Sequence, residues 1–440
     1  MNYEQAIDYI RSVHNNGTKL ALKRITRLTE LLGNPQNNYK IIHVAGTNGK
    51  GSICNMLHDV LMVSGYKTGL FISPHLEEYN ERIQINKIPI SRDSLTRITS
   101  LVKEKIDIML SEGYSELTEF EIITAIGFKY FEEQKIEILV LEVGMGGRFD
   151  ASNVVTNTLV SVISSISYDH IEYLGNTLEE IALEKAGIIK ENSNVVVYPQ
   201  AKEIVEVIEK EAKKKHSLIY EVDSNYISNI KTDLSGQVFS YLKTDVFNLP
   251  ELKINFLGEH QLLNTLTVLQ TLEVIKSLGY KITEKSIIEG LACCRYAGRF
   301  EVISKNPVII LDGGHNINGI ESFSKTITEK FNDKKIILFY GMLRDKNPES
   351  VLGYLVPLSK EIYTLTPNSP RAMNAIEMAK LIKNNYDKDV TPLNNMNEVI
   401  NILKNVKEDD IVAFVGSLYM IGEVRTSLRK YLESKMFDML

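Results

Sequence analysis

Cysteine is scarce in this sequence. The 440 residues contain only three cysteines, Cys54, Cys293 and Cys294. The count is odd, and the spacing matches no common zinc-binding pattern. A disulfide between the adjacent Cys293 and Cys294 would be strained, so we expect two reduced thiols near a helix end. The sequence therefore favours a reducing compartment, the cytoplasm.

Long apolar runs and an excess of basic residues are also missing. Residues 1–14 contain no apolar segment of the signal-peptide type, and no later stretch reaches the roughly 18 to 20 apolar residues that cross a bilayer. Lys and Arg number 50 against 56 Asp and Glu, for a net charge of -6. We therefore expect neither a membrane nor a nucleic acid as partner, and an anionic substrate would need a local group of cations and backbone amides.

Apolar strands alternate with amphipathic helices over most of the chain. The predicted strands of the first part are almost wholly apolar: 40–45, 67–72, 136–143, 159–166 and 194–198. Strands of this kind are typical of a parallel sheet that helices cover on both faces. Residues 217–256 are rich in Tyr, Ser and Thr and break the pattern, so we expect antiparallel strands appended to this sheet.

A second α/β series begins near residue 297. Its predicted strands are 308–311, 335–340, 362–365 and 411–415. A length of about 140 residues is normal for an independent domain. The sequence therefore predicts a P-loop-type, mostly parallel sheet domain at 1–296 and a smaller doubly wound, Rossmann-like α/β domain at 297–440.

A glycine-rich loop joins the first predicted strand to a predicted helix. Its backbone N–H groups and the positive end of the helix dipole favour a bound phosphate. Gly46 and Gly49 can adopt conformations that other residues resist, and Lys50 supplies a charge for the β- and γ-phosphates. An ordinary glycine turn is the alternative. The predicted nucleotide contacts are Gly46, Thr47, Asn48, Gly49, Lys50, Gly51 and Ser52.

The loop departs from the common form at one position. Gly51 follows Lys50 where Ser or Thr is usual, and the hydroxyl comes one place later, at Ser52. A direct contact between Ser52 and a metal ion therefore does not follow from the pattern.

Polar residues follow several predicted strands. Glu142 stands at the carboxyl end of an apolar strand, where a carboxylate is costly to bury unless a cation compensates it. Ligands of open parallel sheets bind at this edge. Ser73 and His170 also follow strands, so the three side chains could converge near the phosphates. For His170 alone, a structural histidine is the alternative.

These motifs resemble the folylpolyglutamate and dihydrofolate synthases, relatives of the Mur ligases of cell-wall synthesis. The matching blocks cover most of the chain: GTNGKGS at 46–52, SPHL at 73–76, ERI at 81–83, LTEFE at 117–121, LEVGMGGRFDASN at 141–153, DH at 169–170, LEKAGIIK at 183–190, HQLLN at 260–264, GRFE at 298–301, DGGHN at 312–316 and GSLYMIGEVR at 416–425. Tyr296-Ala297 and Gly314 depart from the usual Trp-Pro and Ala. Because 45 residues precede Gly46, we expect no uridine-nucleotide domain of the Mur ligase kind ahead of the loop.

The resemblance implies an ATP-dependent ligase that joins L-glutamate to the glutamyl carboxylate of (tetrahydro)folate through an acyl phosphate. Whether dihydropteroate is also a substrate stays open. Magnesium is implied at Ser73, Glu142 and His170. Lys185 is implied to be carbamylated, because burial favours the neutral amine that reacts with carbon dioxide; a lysine that reaches solvent is the alternative.

The resemblance also assigns residues outside the loop. Asn264 and Arg299 are expected to contact the nucleotide, with Asp312 and His315 across the cleft, although Asp312 alone could be a turn residue. Arg299 can stabilise charge on the transferred phosphoryl group. The predicted catalytic residues are Lys50, Lys185, Arg299 and His315. The predicted substrate or phosphate-loop contacts are Thr118, Phe120, Glu121, Arg148 and Asp150, of which Phe120 could stack on a pterin or belong to the core.

Two other classes of protein remain as alternatives. A P-loop NTPase that acts as a switch would turn ATP over without glutamate. A non-catalytic nucleotide-binding protein is disfavoured because Lys50, Glu142 and His170 are all present. The sequence indicates no base for the incoming amine, and we expect a monomer.

Overall fold

The computed structural model describes residues 1–12, 21–243, 246–332 and 334–437, with the backbone alone at 434–437. By its internal contacts the chain divides into two units. Unit 1 comprises Met1–Ile230, Val238–Ile254 and Gln261–Cys294, and unit 2 comprises Lys231–Gln237, Asn255–His260 and Arg295–Leu440.

Helices and strands alternate along both units. The helices are α1 (Tyr3–Ser12), α2 (Lys23–Leu31), α3 (Lys50–Val63), α4 (Arg92–Ser111), α5 (Glu119–Glu133), α6 (Ile171–Leu174), α7 (Leu178–Ala186), α8 (Lys202–Lys214), α9 (Glu259–Ser277), α10 (Glu284–Cys293), α11 (Ile317–Phe331), α12 (Glu349–Leu355), α13 (Ala375–Tyr386), α14 (Met396–Leu403) and α15 (Leu418–Phe437). The strands are β1 (Lys40–Ala45), β2 (Thr68–Phe71), β3 (Ile83–Ile85), β4 (Ile88–Pro89), β5 (Ile138–Glu142), β6 (Thr158–Ile163), β7 (Asn194–Val197), β8 (Leu218–Glu221), β9 (Ile227–Asp233), β10 (Gly236–Lys243), β11 (Phe247–Ile254), β12 (Glu301–Lys305), β13 (Val308–Asp312), β14 (Ile336–Tyr340), β15 (Ser359–Thr364), β16 (Val390–Pro392) and β17 (Ile411–Val415).

Unit 1 contains an eight-stranded sheet of order β4-β3-β2-β5-β1-β6-β7-β8. Strands β3 and β4 are antiparallel to their neighbours, and the others run parallel. Apolar side chains of β1, β2 and β5 pack with α1, α2, α4 and α5 in one core, and a second core joins β6 and β7 to α7 and α8. The predicted parallel sheet of buried strands is confirmed.

Strands β9, β10 and β11 form a sheet of their own. The prediction that they extend the large sheet was wrong, because the edge of that sheet is β8, which pairs parallel with β7. The buried residues of β11 are Phe247, Leu249, Leu252 and Ile254, with exposed residues between them. Strands with one apolar face suit a layer that is covered on one side, and β11 packs against α10.

Unit 2 contains a six-stranded sheet of order β12-β13-β17-β14-β15-β16. Strand β12 pairs antiparallel with β13, and the other strands run parallel. Apolar side chains of these strands pack with α11, α12 and α13. The predicted second α/β domain is confirmed, with β12 and β16 as edge strands that the sequence analysis missed.

The cysteines differ in their exposure. No disulfide joins the three cysteines. Cys54 and Cys294 are buried, and Cys293, the last residue of α10, is exposed. Within the part of the chain that the structure describes, no helix is long and apolar enough to cross a membrane.

Candidate active site

The glycine loop connects β1 to α3, as predicted. Gly46 has φ +149° and Gly49 has φ +83°. A β-carbon at Gly46 would lie 1.8 Å from Oγ of Ser164, and one at Gly49 would lie 2.4 Å from Oδ1 of Asn264. Both positions therefore require glycine, because the neighbours that surround the loop leave no room for a side chain.

A run of serines after β6 holds the loop in place. The backbone N–H of Thr47 donates to the carbonyl of Ser165 (2.7 Å), and its hydroxyl donates to the carbonyl of Ser167 (3.0 Å). The hydroxyl of Ser164 donates to the carbonyl of Asn48 (2.8 Å). Sequence analysis missed these serines, although their place directly after a central parallel strand is a usable signal.

Helix α9 supports the loop from another side. Nε2 of Gln261 lies 3.3 Å from Oγ of Ser52, and Nδ2 of Asn264 donates to Oε1 of Gln261 (3.0 Å). Ser52 and Asn264 are both 3% exposed. Asn264 therefore lies beside the loop, and the Ser52 hydroxyl is engaged with Gln261. The predicted contact of Asn264 with the nucleotide stays a prediction.

A pocket opens beside the loop at the carboxyl edge of the large sheet. We call it the loop pocket; its lining residues are Gly46, Thr47, Lys50, Val143, Gly144, Met145, Gly146, Asp169, His170 and Lys185. The segments that follow β1, β5 and β6 contribute to it, together with α7. Three predicted site residues, Lys50, His170 and Lys185, thus meet in one place although they are far apart in sequence.

Two lysines share one acceptor in the loop pocket. Nζ of Lys50 donates to the carbonyls of Gly46 (2.9 Å) and Thr47 (3.1 Å). Nζ of Lys185 donates to the same Gly46 oxygen at 2.8 Å. Lys185 is only 4% exposed, so the alternative of a lysine that reaches solvent does not hold. The Lys50 ammonium beside the N-terminus of α3 favours an anion in this pocket.

The predicted metal ligands lie at the same edge of the sheet. Glu142 ends β5 and is 3% exposed, and its Oε2 accepts the N–H of Ser73 at 3.0 Å. His170 follows β6 and lines the loop pocket. Over the described residues, no group of three or more His, Cys, Asp and Glu side chains is arranged to hold a metal ion. The predicted set combines one carboxylate, one hydroxyl and one imidazole, and it stays a prediction.

The segment after β5 packs closely against α7. A β-carbon at Gly147 would lie 2.7 Å from the carbonyl oxygen of Glu184 and 3.0 Å from Cα of Lys185. The N–H of Arg148 donates to that Glu184 oxygen (2.8 Å). This contact fixes α7, and therefore Lys185, against the wall of the loop pocket.

Phe120 lies between this segment and the core. Its Cζ would be 2.5 Å from a β-carbon at Gly144, and its ring meets Phe71 edge-on at 6.0 Å between centroids. Phe120 thus touches the wall of the loop pocket, and it also packs against the hydrophobic core, which was the alternative to a role in binding. Its contact with a pterin stays a prediction.

Other predicted substrate residues have internal roles. Thr118 and Glu121 form a capping box at the start of α5, and Arg24, which the sequence analysis missed, pairs with Glu121 at 2.9 Å. The side chain of Arg148 lies 3.6 Å from Glu184. Their predicted contacts with substrate stay predictions.

In unit 2, Asp312 ends β13 and fixes the turn that follows. Its carboxylate accepts the N–H groups of Phe300 (2.8 Å) and Gly314 (2.7 Å). Burial raises the pKa of Asp312. Asp312 therefore has the contacts of a turn residue, which was the alternative to a binding role. Its predicted contact with a nucleotide stays a prediction.

His315 and Arg299 lie near this turn. Nδ1 of His315 is 2.8 Å from the carbonyl of Gly313 and must donate to it. The guanidinium of Arg299 lies over the ring of Tyr296 at 5.6 Å, and together with burial, the larger cause, its charge lowers the pKa of His260 to about 4. The catalytic roles of Arg299 and His315 stay predictions.

Comparisons with known proteins agree with this fold and site. Residues 44–272 match the Mur ligase middle domain, and residues 298–418 match the Mur ligase glutamate ligase domain. A dihydrofolate synthase/folylpolyglutamate synthase of Bacillus subtilis is 34% identical over 435 residues, which cover 97% of this chain and 99% of that protein.

Solved structures are similar over the same length. The folylpolyglutamate synthase of Thermotoga maritima has a TM-score of 0.84 at 34% identity and covers 97% of this chain and 96% of its own. A complex of an FPGS with AMPPCP and folate has a TM-score of 0.82 at 29% identity and covers 97% and 100%. The chain therefore belongs to the Mur ligase family, among the folylpolyglutamate and dihydrofolate synthases, which are ATP-dependent ligases.

Proposed function

We propose that this enzyme joins L-glutamate to the glutamyl carboxylate of tetrahydrofolate and converts ATP to ADP and phosphate. The observation that carries the proposal is the loop pocket, where the side chains of Lys50 and Lys185 converge on one carbonyl oxygen of the glycine loop. The β- and γ-phosphates of ATP are a stronger acceptor for the Lys50 ammonium than a neutral carbonyl. The folate and glutamate substrates are supported by the names of the relatives.

The reaction proceeds in two displacements. A carboxylate oxygen of the folate attacks the γ-phosphorus, and the bond from that phosphorus to ADP breaks, which gives an acyl phosphate. The glutamate amine then attacks the carbonyl carbon, loses a proton, and phosphate leaves with the former carboxylate oxygen. Lys50 and the amides at the start of α3 stabilise the charge on the transferred phosphoryl group.

We propose that Ser73, Glu142 and His170 hold magnesium. Hydroxyl and carboxylate oxygens are ligands that this ion accepts, and a carboxylate as buried as Glu142 is favoured by a nearby cation. The N–H of Ser73 orients the Glu142 carboxylate (3.0 Å), as outer hydrogen bonds commonly orient metal ligands. Bound magnesium would neutralise charge on the β- and γ-phosphates.

Lys185 is proposed to carry a carbamate. Its amine is nearly inaccessible to bulk water, and burial favours the neutral form that attacks carbon dioxide and releases a proton. The carbamate nitrogen retains one N–H, so the hydrogen bond to Gly46 can persist while the new carboxylate supplies an anion for magnesium.

The carbamate is tested by carbon-13 NMR on enzyme equilibrated with labelled carbon dioxide. We expect a protected carbamate signal in the wild type that is missing in Lys185→Met. The same signal in both proteins would contradict the modification, because the other lysines remain in the variant.

We also propose a monomeric cytoplasmic enzyme with an ATP-binding domain at 1–296 and a ligase domain at 297–440. The structure supports this boundary, since the last segment of unit 1 ends at Cys294 and the main segment of unit 2 begins at Arg295. Sedimentation velocity over a wide range of protein concentrations is expected to give the mass of one chain, and a larger species would contradict the proposal.

The substrates are tested by ADP formation with tetrahydrofolate or dihydropteroate, each with and without glutamate. We expect glutamate-dependent ADP release with tetrahydrofolate, and a response to dihydropteroate would add the dihydrofolate synthase activity. ADP release that is indifferent to glutamate would instead favour a nucleotide switch.

A further inference from the structure

A chain of three buried polar side chains runs from β1 to the segment that follows β5. His43 and Ser152 are fully buried and Asp150 is 6% exposed. Nε2 of His43 lies 2.8 Å from Oγ of Ser152, and this Oγ lies 2.5 Å from Oδ1 of Asp150. The residues that line the loop pocket include none of the three, and the predicted contact of Asp150 with substrate stays a prediction.

The hydrogen atoms of this chain follow from its geometry. A serine hydroxyl has one proton to donate, and a carboxylate only accepts. Ser152 therefore donates to Asp150, and His43 must donate its Nε2–H to Ser152. Nδ1 of His43 is then the unprotonated nitrogen, and it has no hydrogen-bond partner among the described residues. Burial and, second, the charge of Lys190 lower the pKa of His43 well below its usual value, so the ring is neutral.

At its other end the chain reaches the wall of the loop pocket. Oδ1 of Asp150 also accepts the N–H of Ser152 (3.0 Å), and Oδ2 accepts the N–H of Met145 (2.9 Å). Met145 and its neighbour Gly144 both line the pocket. Asp150 thus ties this wall to β1, the strand that carries the glycine loop.

We propose that His43 is a positioning residue for phosphoryl transfer: through the Ser152 hydroxyl it fixes the Asp150 carboxylate, which holds the Met145 amide in the wall of the loop pocket. The inference rests on the proposed function only in taking this pocket as the phosphate site. A displaced wall would also shift α7, because Gly147 packs on Lys185. Displacement of about 1 Å can cost on the order of 100-fold in rate.

Two substitutions of His43 separate its two nitrogens. In His43→Gln the amide nitrogen takes the place of Nε2 and can still donate to Ser152. In His43→Asn the side chain is one carbon shorter, so its amide nitrogen takes the place of Nδ1, which has no hydrogen-bond partner among the described residues. It cannot reach Ser152. The two variants have the same polarity and differ in whether the hydrogen bond to Ser152 can form.

A second pair of variants tests the middle of the chain. Ser152→Ala removes the linking hydroxyl. Ser161→Ala is its matched control, because Ser161 is equally buried, lies opposite His43 on β6 and donates to the carbonyl of Ile188 at 3.2 Å. The control therefore loses an equally buried hydroxyl next to His43 without breaking the chain of hydrogen bonds.

Steady-state kinetics gives the first readout. We expect His43→Asn and Ser152→Ala to lower kcat about 10- to 100-fold, as misplacement of groups at a reacting centre does, with the KM for glutamate unchanged. The kcat of His43→Gln and of Ser161→Ala should stay within about threefold of the wild type, because neither change displaces the wall of the pocket. Equal kcat values in His43→Gln and His43→Asn, or equal losses in Ser152→Ala and Ser161→Ala, would overturn the proposal.

Hydrogen exchange gives a second readout that needs no substrate. Amides at 144–150 should exchange faster in His43→Asn and Ser152→Ala than in the other two variants, and unchanged protection would overturn the proposal. If the wild type formed no ADP with folate and glutamate, the proposed function would fail, while the exchange data would still decide whether the chain holds this wall. If both His43 variants failed to fold, the serine pair would decide alone.

Discussion

The carboxyl edges of the two sheets use charged residues in opposite ways. In unit 1, Lys50 and Lys185 donate to a single carbonyl and line a pocket. In unit 2, Asp312 stands at a comparable strand end, but its carboxylate accepts two backbone N–H groups of its own turn. A strand end therefore identifies a candidate site, and the balance of donors and acceptors decides between ligand binding and turn stabilisation.

The largest effect is expected at the crowded lysines of unit 1. Lys50→Met should lower kcat for ADP formation about 10²- to 10³-fold, because a charge that stabilises the transferred phosphoryl group is removed. Lys202→Met is the control, because Lys202 is exposed and its ion pair with Glu206, at 3.8 Å, lies on the surface of α8. Activity of Lys50→Met close to the wild type would remove the distinction between the two edges.

The next effect concerns the shape of the glycine loop. Gly49→Ala adds backbone strain at φ +83° and a clash with Asn264, so both ATP affinity and stability should fall. Gly33→Ala is the matched control, because Gly33 has φ +86° and a β-carbon at this position would meet nothing within 4 Å. The control should lose only about 1 kcal/mol from strain. Thermal unfolding and ATP binding measure the pair, and equal losses would contradict the close fit.

A smaller effect is expected at the turn of unit 2. Asp312→Asn replaces one acceptor oxygen with a donor, so one of the two backbone N–H groups loses its partner. The free energy of unfolding should fall by about 1 to 3 kcal/mol. Asp345→Asn, an exposed position paired with Arg371, should change it by less than about 0.5 kcal/mol. Urea unfolding followed in unit 2 compares them, and equal stability would mean that Asp312 does not hold the turn.

The smallest effect concerns pH. Burial, with Arg299 second, lowers the pKa of His260 to about 4, so between pH 4 and 6.5 the unfolded histidine binds a proton that the folded one does not. This contribution to stability is present above pH 6.5 and is lost as the pH falls toward 4. Because His260 is partly exposed, we expect only about 1 kcal/mol between pH 6.5 and 5. Urea titrations should show a weaker pH dependence in His260→Gln, and an unchanged one would contradict this.

Sequence patterns predicted the parts of this molecule that local rules determine. Apolar runs gave the parallel sheet, and the rule that strand ends meet at one edge placed His170 near the glycine loop that carries Lys50. Lys185 lies on a helix, and only the family resemblance assigned it to the site. The patterns missed contacts between distant segments: His43 and Ser152 are 109 residues apart, and the pairing of Arg24 with Glu121 spans 97. Hydrogen bonds of this kind leave no periodic signal, so they appear only once the fold brings the segments together.

The path of one oxygen atom tests the central claim most directly. Tetrahydrofolate labelled with oxygen-18 in its glutamyl carboxylate is turned over with ATP and glutamate, and the released phosphate is analysed by mass. If the carboxylate attacks the γ-phosphorus in the loop pocket, one labelled oxygen leaves with each phosphate. Phosphate without label, released together with the ligated product, would contradict the acyl phosphate and the role assigned to the pocket.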